Sequence, residues 1–140
     1  MMTVNQISKR SGYAPHVVRY YARIGLLTPA RHPDNGYQLF SRDDTARLRF
    51  IRLSQSLGFT LDEISHFLGM SEAGESPCRE VREIMCRRVE ENRQRLVDLI
   101  ALQRRMEQAL ARWKDMPDVA PSNGTVCHLI ESVAEARIGT

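Results

Sequence analysis

No run of apolar residues in this 140-residue chain approaches the roughly 20 that a membrane-spanning helix needs. The opening Met1-Met2-Thr3-Val4-Asn5 lacks the basic segment and apolar stretch of a secretion signal. The expectation is a cytoplasmic protein with no membrane partner. Cysteine is sparse and odd in number: Cys78, Cys86 and Cys127 lie far apart. That pattern fits a reducing compartment, with free thiols or metal ligands, better than a disulfide framework. The glycine-rich phosphate loop, the Gly-x-Gly-x-x-Gly dinucleotide motif, His-Glu-x-x-His and Cys-x-x-Cys are all absent. With room for one compact domain and an extension, a multi-domain enzyme is excluded.

Lysine is nearly absent too, since 18 of the 20 basic side chains are Arg. Arginine's planar fork pairs with phosphate and guanine edges, although a GC-rich genome produces the same bias. The net charge of +3 hides a division: residues 1–60 carry 9 basic and 3 acidic side chains, residues 61–140 carry 11 and 14. A basic head on an acidic body points to a polyanion partner for the head alone.

What the sequence does contain is helical punctuation. A short helix is expected over Val4–Ser11, stopped by Gly12, and a second from Pro15 through about Ile24, with Val17, Val18 and Ile24 facing inward. Two helices on a tight glycine turn make a helix-turn-helix. Pro33-Asp34-Asn35-Gly36 predicts the turn of a small β wing between about Arg31 and Phe40, with Asn35-Gly36 supplying positive φ angles. Ser41 reads as the N-cap of the next helix, which ends at Gly58, and Thr60-Leu61-Asp62-Glu63 is a capping box opening a helix to about Leu68. This is a second helix-turn-helix.

After a Gly/Ser/Glu-rich linker, 71–76, the longest helical signal starts at Pro77 and runs to about Trp113, roughly 54 Å at 1.5 Å per residue. Val81, Met85, Val89, Asn92, Leu96, Leu99, Gln103, Met106 and Leu110 follow a heptad seam. One apolar stripe with no second helix to cover it predicts a homodimer, in which Asn92 and Gln103 fix register. Residues 114–140 are expected to form a loop and a short helix from Val126 to about Ala136. The fold class is therefore mainly α: a winged helix-turn-helix head over 1–70, a dimerisation helix over 77–113, and an effector loop with a terminal helix over 114–140.

On the second helix Arg19 and Arg23 are four apart beside Tyr20 and Tyr21, the pattern of a recognition helix entering a major groove. Arg31 at the base of the wing, with Arg42, Arg49 and Arg52 on the following helix, adds phosphate contacts. Val-Val-Arg-Tyr-Tyr at 17–21, Gly-Leu-Leu at 25–27, Asn-Gly-Tyr at 35–37, Phe-Ile-Arg at 50–52 and Leu-Gly-Phe-Thr-Leu-Asp-Glu-Ile at 57–64 resemble the MerR family of transcriptional regulators. The resemblance implies a homodimer joined by an antiparallel coiled coil, bound to double-stranded promoter DNA, with Tyr37 of the wing among the DNA contacts. It further implies activation by distortion of the promoter, so that RNA polymerase is engaged indirectly. Two positions depart from the family pattern: Gln38 stands where Arg is usual, and Ala22 where an acidic residue is common.

Ser76-Pro77-Cys78 and Val126-Cys127-His128-Leu129-Ile130 are similar to the branch of that family that senses divalent heavy metals, in which the first Cys of one protomer reaches the metal loop of the other. Thiolate ligands favour zinc, cadmium, lead or mercury over magnesium or calcium. The branch usually has a further Cys at the end of the dimer helix, where this chain reads Arg112-Trp113-Lys114-Asp115. The expected set is mixed: Cys78 from one protomer with Cys127 and His128, or more weakly Asp115 or Asp118, from the other. Such a site suits zinc or cobalt better than mercury, and zinc is the leading cofactor. Cys86 reads as a small buried hydrophobe, His16, His32 and His66 as surface or core residues of the head, and Met70, Met85 and Met106 as packing. The rival reading has Cys127 as a reactive thiol sensing an electrophile, a redox change or an organic molecule. A cysteine-dependent enzyme is not expected, because neighbours on a helix point apart and cannot serve as nucleophile and base.

Overall fold

The computed structural model describes residues 1–133. The order is α1 (Val4–Ser11), α2 (Pro15–Arg23), β1 (Ala30–Arg31), β2 (Gln38–Leu39), α3 (Arg42–Ser56), α4 (Leu61–Glu72), α5 (Cys78–Trp113) and α6 (His128–Glu131). They fall into two compact units, Met1–Val81 and Arg82–Thr140. Among the described residues no helix is long and apolar enough to cross a membrane.

In the first unit, local chemistry sets the helix ends. Thr3 and Gln6 form a capping box at the start of α1, and Gly12, at φ 78°, closes it by donating its N–H to the Ser8 carbonyl. A side chain is barred at Gly12 twice over: by the left-handed backbone, and by the Arg52 guanidinium 2.9 Å from where a Cβ would sit. Pro15 takes the first position of α2. Ser41 and Asp44 form a second capping box at α3, and Thr60 with Glu63 the expected third at α4. Ile7, Val18, Tyr21, Leu26, Leu27, Phe40, Leu48, Ile51, Ile64 and Phe67 make one core under both helix-turn-helix units.

Several expectations are corrected. The wing forms where expected, but its loop runs over 32–37, one residue beyond Pro33–Gly36 at each end, with β1 and β2 pairing antiparallel through Ala30–Leu39 and Arg31–Gln38. Only Gly36 takes positive φ there, because Asn35 instead accepts the Tyr37 N–H on its side-chain oxygen, at 3.0 Å. Helix α4 passes Gly69 and continues to Glu72, with Gly74 at φ 78° following it. Ile24 is exposed rather than inward. The terminal helix covers only His128–Glu131, with Cys127 as its N-cap; the part expected up to Ala136 lies outside the described residues beyond Val133.

In the second unit α5 carries no buried residue. Leu96, Leu99, Met106 and Leu110 of the seam are each more than half exposed in the single chain, and Ile100 beside them widens the stripe. Cys86 is exposed as well, which corrects the expectation of a buried thiol.

Candidate nucleic-acid interface and thiol loop

Helix α2 divides its residues by face. Val18 and Tyr21, three apart, point into the core, whereas His16, Arg19, Tyr20 and Arg23 are exposed at 3-1-3 spacing along the opposite side. Tyr21 is only 5% exposed, packs edge-on against Tyr13 at 5.6 Å and accepts from Gln55 on its hydroxyl. Its expected place among DNA contacts is therefore corrected: it is a core residue holding α2 to α3. The Arg23 guanidinium lies over the Tyr20 ring, 5.3 Å from its centre, so the two present one combined surface.

Arg19 faces a hollow of about 520 Å³ lined also by Thr3, Val4 and Asn5 at the start of α1 and by Gly36, Tyr37 and Gln38 of the wing. Tyr37 is 68% exposed at the tip. Arg31 braces the loop by donating to the Gly36 carbonyl at 3.1 Å. Arg42 and Arg49 are exposed on α3. Arg52, by contrast, donates to the Ser11 carbonyl and lies over the Tyr13 ring at 4.8 Å. Its guanidinium holds the α1–α2 turn, which corrects the expectation of a phosphate contact. Burial, and then the neighbouring Tyr21, raise the Tyr13 hydroxyl above its ordinary pKa of 10.0, with Arg52 opposing them.

Two side chains that position this surface were missed in the sequence. Asp44, 1% exposed, accepts the Thr28 N–H on one oxygen and the Ser41 N–H on the other, each at 3.0 Å, and so ties the entry to the wing onto α3. Its signal was legible as Ser41-x-x-Asp44, a capping box with Asp in place of Glu. The second, Arg47, donates its Nε to the Leu26 carbonyl at 2.7 Å, and nothing in the sequence tells it from the other arginines of α3.

In the second unit the loop after α5 is closed by hydrogen bonds. Trp113 donates its indole N–H to the Leu129 carbonyl and Arg112 its guanidinium to the Ser132 carbonyl, both at 2.7 Å. The Glu131 carboxylate, also missed in the sequence, accepts the N–H groups of Val126 at 3.1 Å and Cys127 at 3.0 Å. His128 Nε2 lies 2.7 Å from the Pro117 carbonyl. A carbonyl only accepts, so Nε2 carries the proton, and in the neutral imidazole Nδ1 keeps its lone pair. Metal-binding histidines are held in this way, one nitrogen bonded to a carbonyl and the other free to ligate. Cys127 is half-buried, Cys78 exposed at the start of α5, and Asp115 and Asp118 exposed in the loop. Among the described residues of the single chain, no three His, Cys, Asp or Glu side chains come together as a metal site. The donor types thus suit a thiophilic divalent ion, but one chain brings too few of them together.

Two consecutive helix-turn-helix units with a basic recognition helix and a wing define a winged helix-turn-helix DNA-binding protein. Comparison with known families agrees: residues 2–70 match the MerR HTH family regulatory protein model, and residues 45–109 match the model described as MerR, DNA binding. The mercuric resistance operon regulatory protein of Bacillus cereus is 30% identical over 132 residues, covering 93% of this chain and 95% of that one. A probable heavy metal-dependent transcriptional regulator of Haemophilus influenzae is 30% identical over 114 residues, covering 81% and 86%. The crystal structure of the transcription regulator PbrR691 from Ralstonia metallidurans CH34, in complex with lead(II), is 26% identical, with a TM-score of 0.72 over 96% of this chain and all (100%) of that one. The chain belongs to the MerR family of transcriptional regulators, and is a DNA-binding regulator rather than an enzyme. Regulators of this family bind promoter DNA as dimers and act with RNA polymerase.

Proposed function

We propose that this regulator is cytoplasmic, senses a divalent heavy metal, with zinc the first candidate, and activates a metal-resistance or efflux promoter by distorting its DNA. The observation that carries the reading is His128, which follows Cys127 in the chain and whose Nε2–H is held by the Pro117 carbonyl at 2.7 Å. Cys127 and His128 of one protomer, with Cys78 of its partner, would hold the ion, and the exposed Asp115 and Asp118 offer oxygen ligands. When bound, the metal supplies a cross-link between protomers. The chain's own residues do the rest: Trp113 and Arg112 seat α6 on the end of α5, and Glu131 fixes the backbone at Cys127. On the DNA side, Arg19, Tyr20, Arg23 and Tyr37 make the contacts, with Arg31 and Arg42 at the flanks, while α5 pairs through Val81, Met85, Val89, Asn92, Leu96, Leu99, Met106 and Leu110.

The test is metal binding to reduced protein, comparing wild type with Cys78→Ser, Cys127→Ser and His128→Gln, alongside in vitro transcription titrated with zinc, cadmium, lead, cobalt, mercury and copper. Each substitution is expected to weaken binding of the activating metal at least tenfold, the scale on which a lost ligand or its support acts. Equal affinity in all four proteins sinks the site.

A second reading, in which Cys127 senses an electrophile or a redox change, draws support from the lack of a further thiolate at the end of the dimer helix, where this chain reads Arg112-Trp113-Lys114-Asp115. It wins if metals leave transcription unchanged while a thiol-reactive compound raises it.

A further inference from the structure

The head holds one arginine whose surroundings differ from those of all the cations assigned to DNA. The Arg47 side chain is only 10% exposed. Its Nε donates to the Leu26 carbonyl at 2.7 Å, just beyond the recognition helix, and its Nη1 meets the Glu72 carboxylate at 2.5 Å, in the last turn of α4. From the middle of α3, one planar fork therefore grips the segment that leaves the recognition helix and the helix that leads, within six residues, to the dimerisation helix. Between α3 and the end of α4 there is an open hollow of about 440 Å³, lined by Ala46, Phe50, Phe67, Leu68 and by Pro77, the residue before α5. Apolar packing is thus incomplete on that side, and Arg47–Glu72 is the charged tie across it.

We infer that Arg47 is a positioning residue which, through Glu72, sets the recognition helix relative to the root of the dimerisation helix, and so sets how a dimer bends its operator. The inference rests on the family's DNA binding but not on a metal. The guanidinium is the group this needs: donors along the edges of one plane serve two acceptors at once, and a lysine ammonium on the same stem cannot hold both in a fixed plane. The tie to Leu26 sets the recognition helix against α3, and the tie to Glu72 sets α4 against α3. Glu72→Gln removes the charge from the second tie while leaving the first, so it separates positioning from DNA contact.

The experiment uses the full chain and a duplex enriched by the wild-type protein from a random pool, labelled at both ends. Affinity is read by anisotropy, DNA shape by energy transfer between the ends of the saturated complex, and folding by thermal melting. Glu72→Gln is expected to bind within about twofold of wild type but to change the end-to-end transfer. Arg47→Lys is expected to change the transfer further and to weaken binding. If Glu72→Gln shifts only the melting temperature and leaves the transfer at the wild-type value, the pair is merely structural and the inference is overturned. If the wild type enriches no sequence, the DNA-binding reading fails first and the inference falls with it.

Discussion

Arg19 and Arg23 occupy the same face of α2, but only Arg23 lies over an aromatic ring, and Arg19 faces the hollow beside the wing. Replacing Arg19 with Ala is expected to cost about 1–3 kcal/mol in operator binding if it reads a base. If it holds a phosphate, the substitution should weaken all sequences alike and lower the salt slope by about 1 per head. Anisotropy titrations over a salt series on matched and mismatched duplexes decide between them. Asp44→Ala orphans the Thr28 and Ser41 amides together and should cost about 2 kcal/mol of stability in urea unfolding. Tyr13 gives a pH signature. Its folded pKa is raised, so its stabilising contribution is complete below the ordinary value of 10.0 and is lost as pH rises through the folded value. Tyr13→Phe should flatten the alkaline arm of a stability–pH curve. At this scale the sequence was only partly readable. Tyr20 and Tyr21 are chemically equal neighbours, and what separates them is that Tyr21 falls three residues after the buried Val18, on the same face of α2. Nothing in the sequence separated Arg47 and Arg52 from the surface arginines of the same helix, because their acceptors are backbone carbonyls of other elements.

Elements were legible where their ends are decided locally. The Thr60–Glu63 box, Pro15 at the start of α2 and Gly12 at the end of α1 each need only residues within a few positions. The wing turn was misread because the Asn35 side chain has two uses, a left-handed backbone or a bond to the Tyr37 amide, and the loop around it selects the second. Helix α4 outran its expected end because Gly69, a weak helix former, is followed by residues up to Glu72 that are held against α3 by Arg47. Gly12→Ala should cost about 1–2 kcal/mol, from the left-handed conformation alone, and more if Arg52 must withdraw from the Ser11 carbonyl; thermal melting of the variant measures it. On α5, exposed Leu96 and Leu99 have no cover within the described chain. Leu99→Glu is expected to convert the dimer to monomer in sedimentation velocity and to abolish operator binding, while far-ultraviolet dichroism of the head persists.

For the molecule as a whole, the charge division seen in the sequence acquires a physical division of labour. Arg19, Arg31 and Arg42 of the basic head are exposed, and the acidic remainder carries the apolar seam and the thiol loop, where strong positive charge would draw the wrong half onto DNA. Binding should therefore fall steeply with salt, while dimerisation through an apolar seam should not. The loop after α5 carries an intrinsic probe. The protein has a single tryptophan, and its indole N–H is bonded to the Leu129 carbonyl, two residues from Cys127. An indole donor bonded to a carbonyl emits differently from one released to water. Intrinsic fluorescence of the unlabelled wild type is thus a one-probe report of events at the Cys127 loop, blind to the head, and if that loop senses as proposed, a panel of candidate effectors can be ranked by it before any promoter is known.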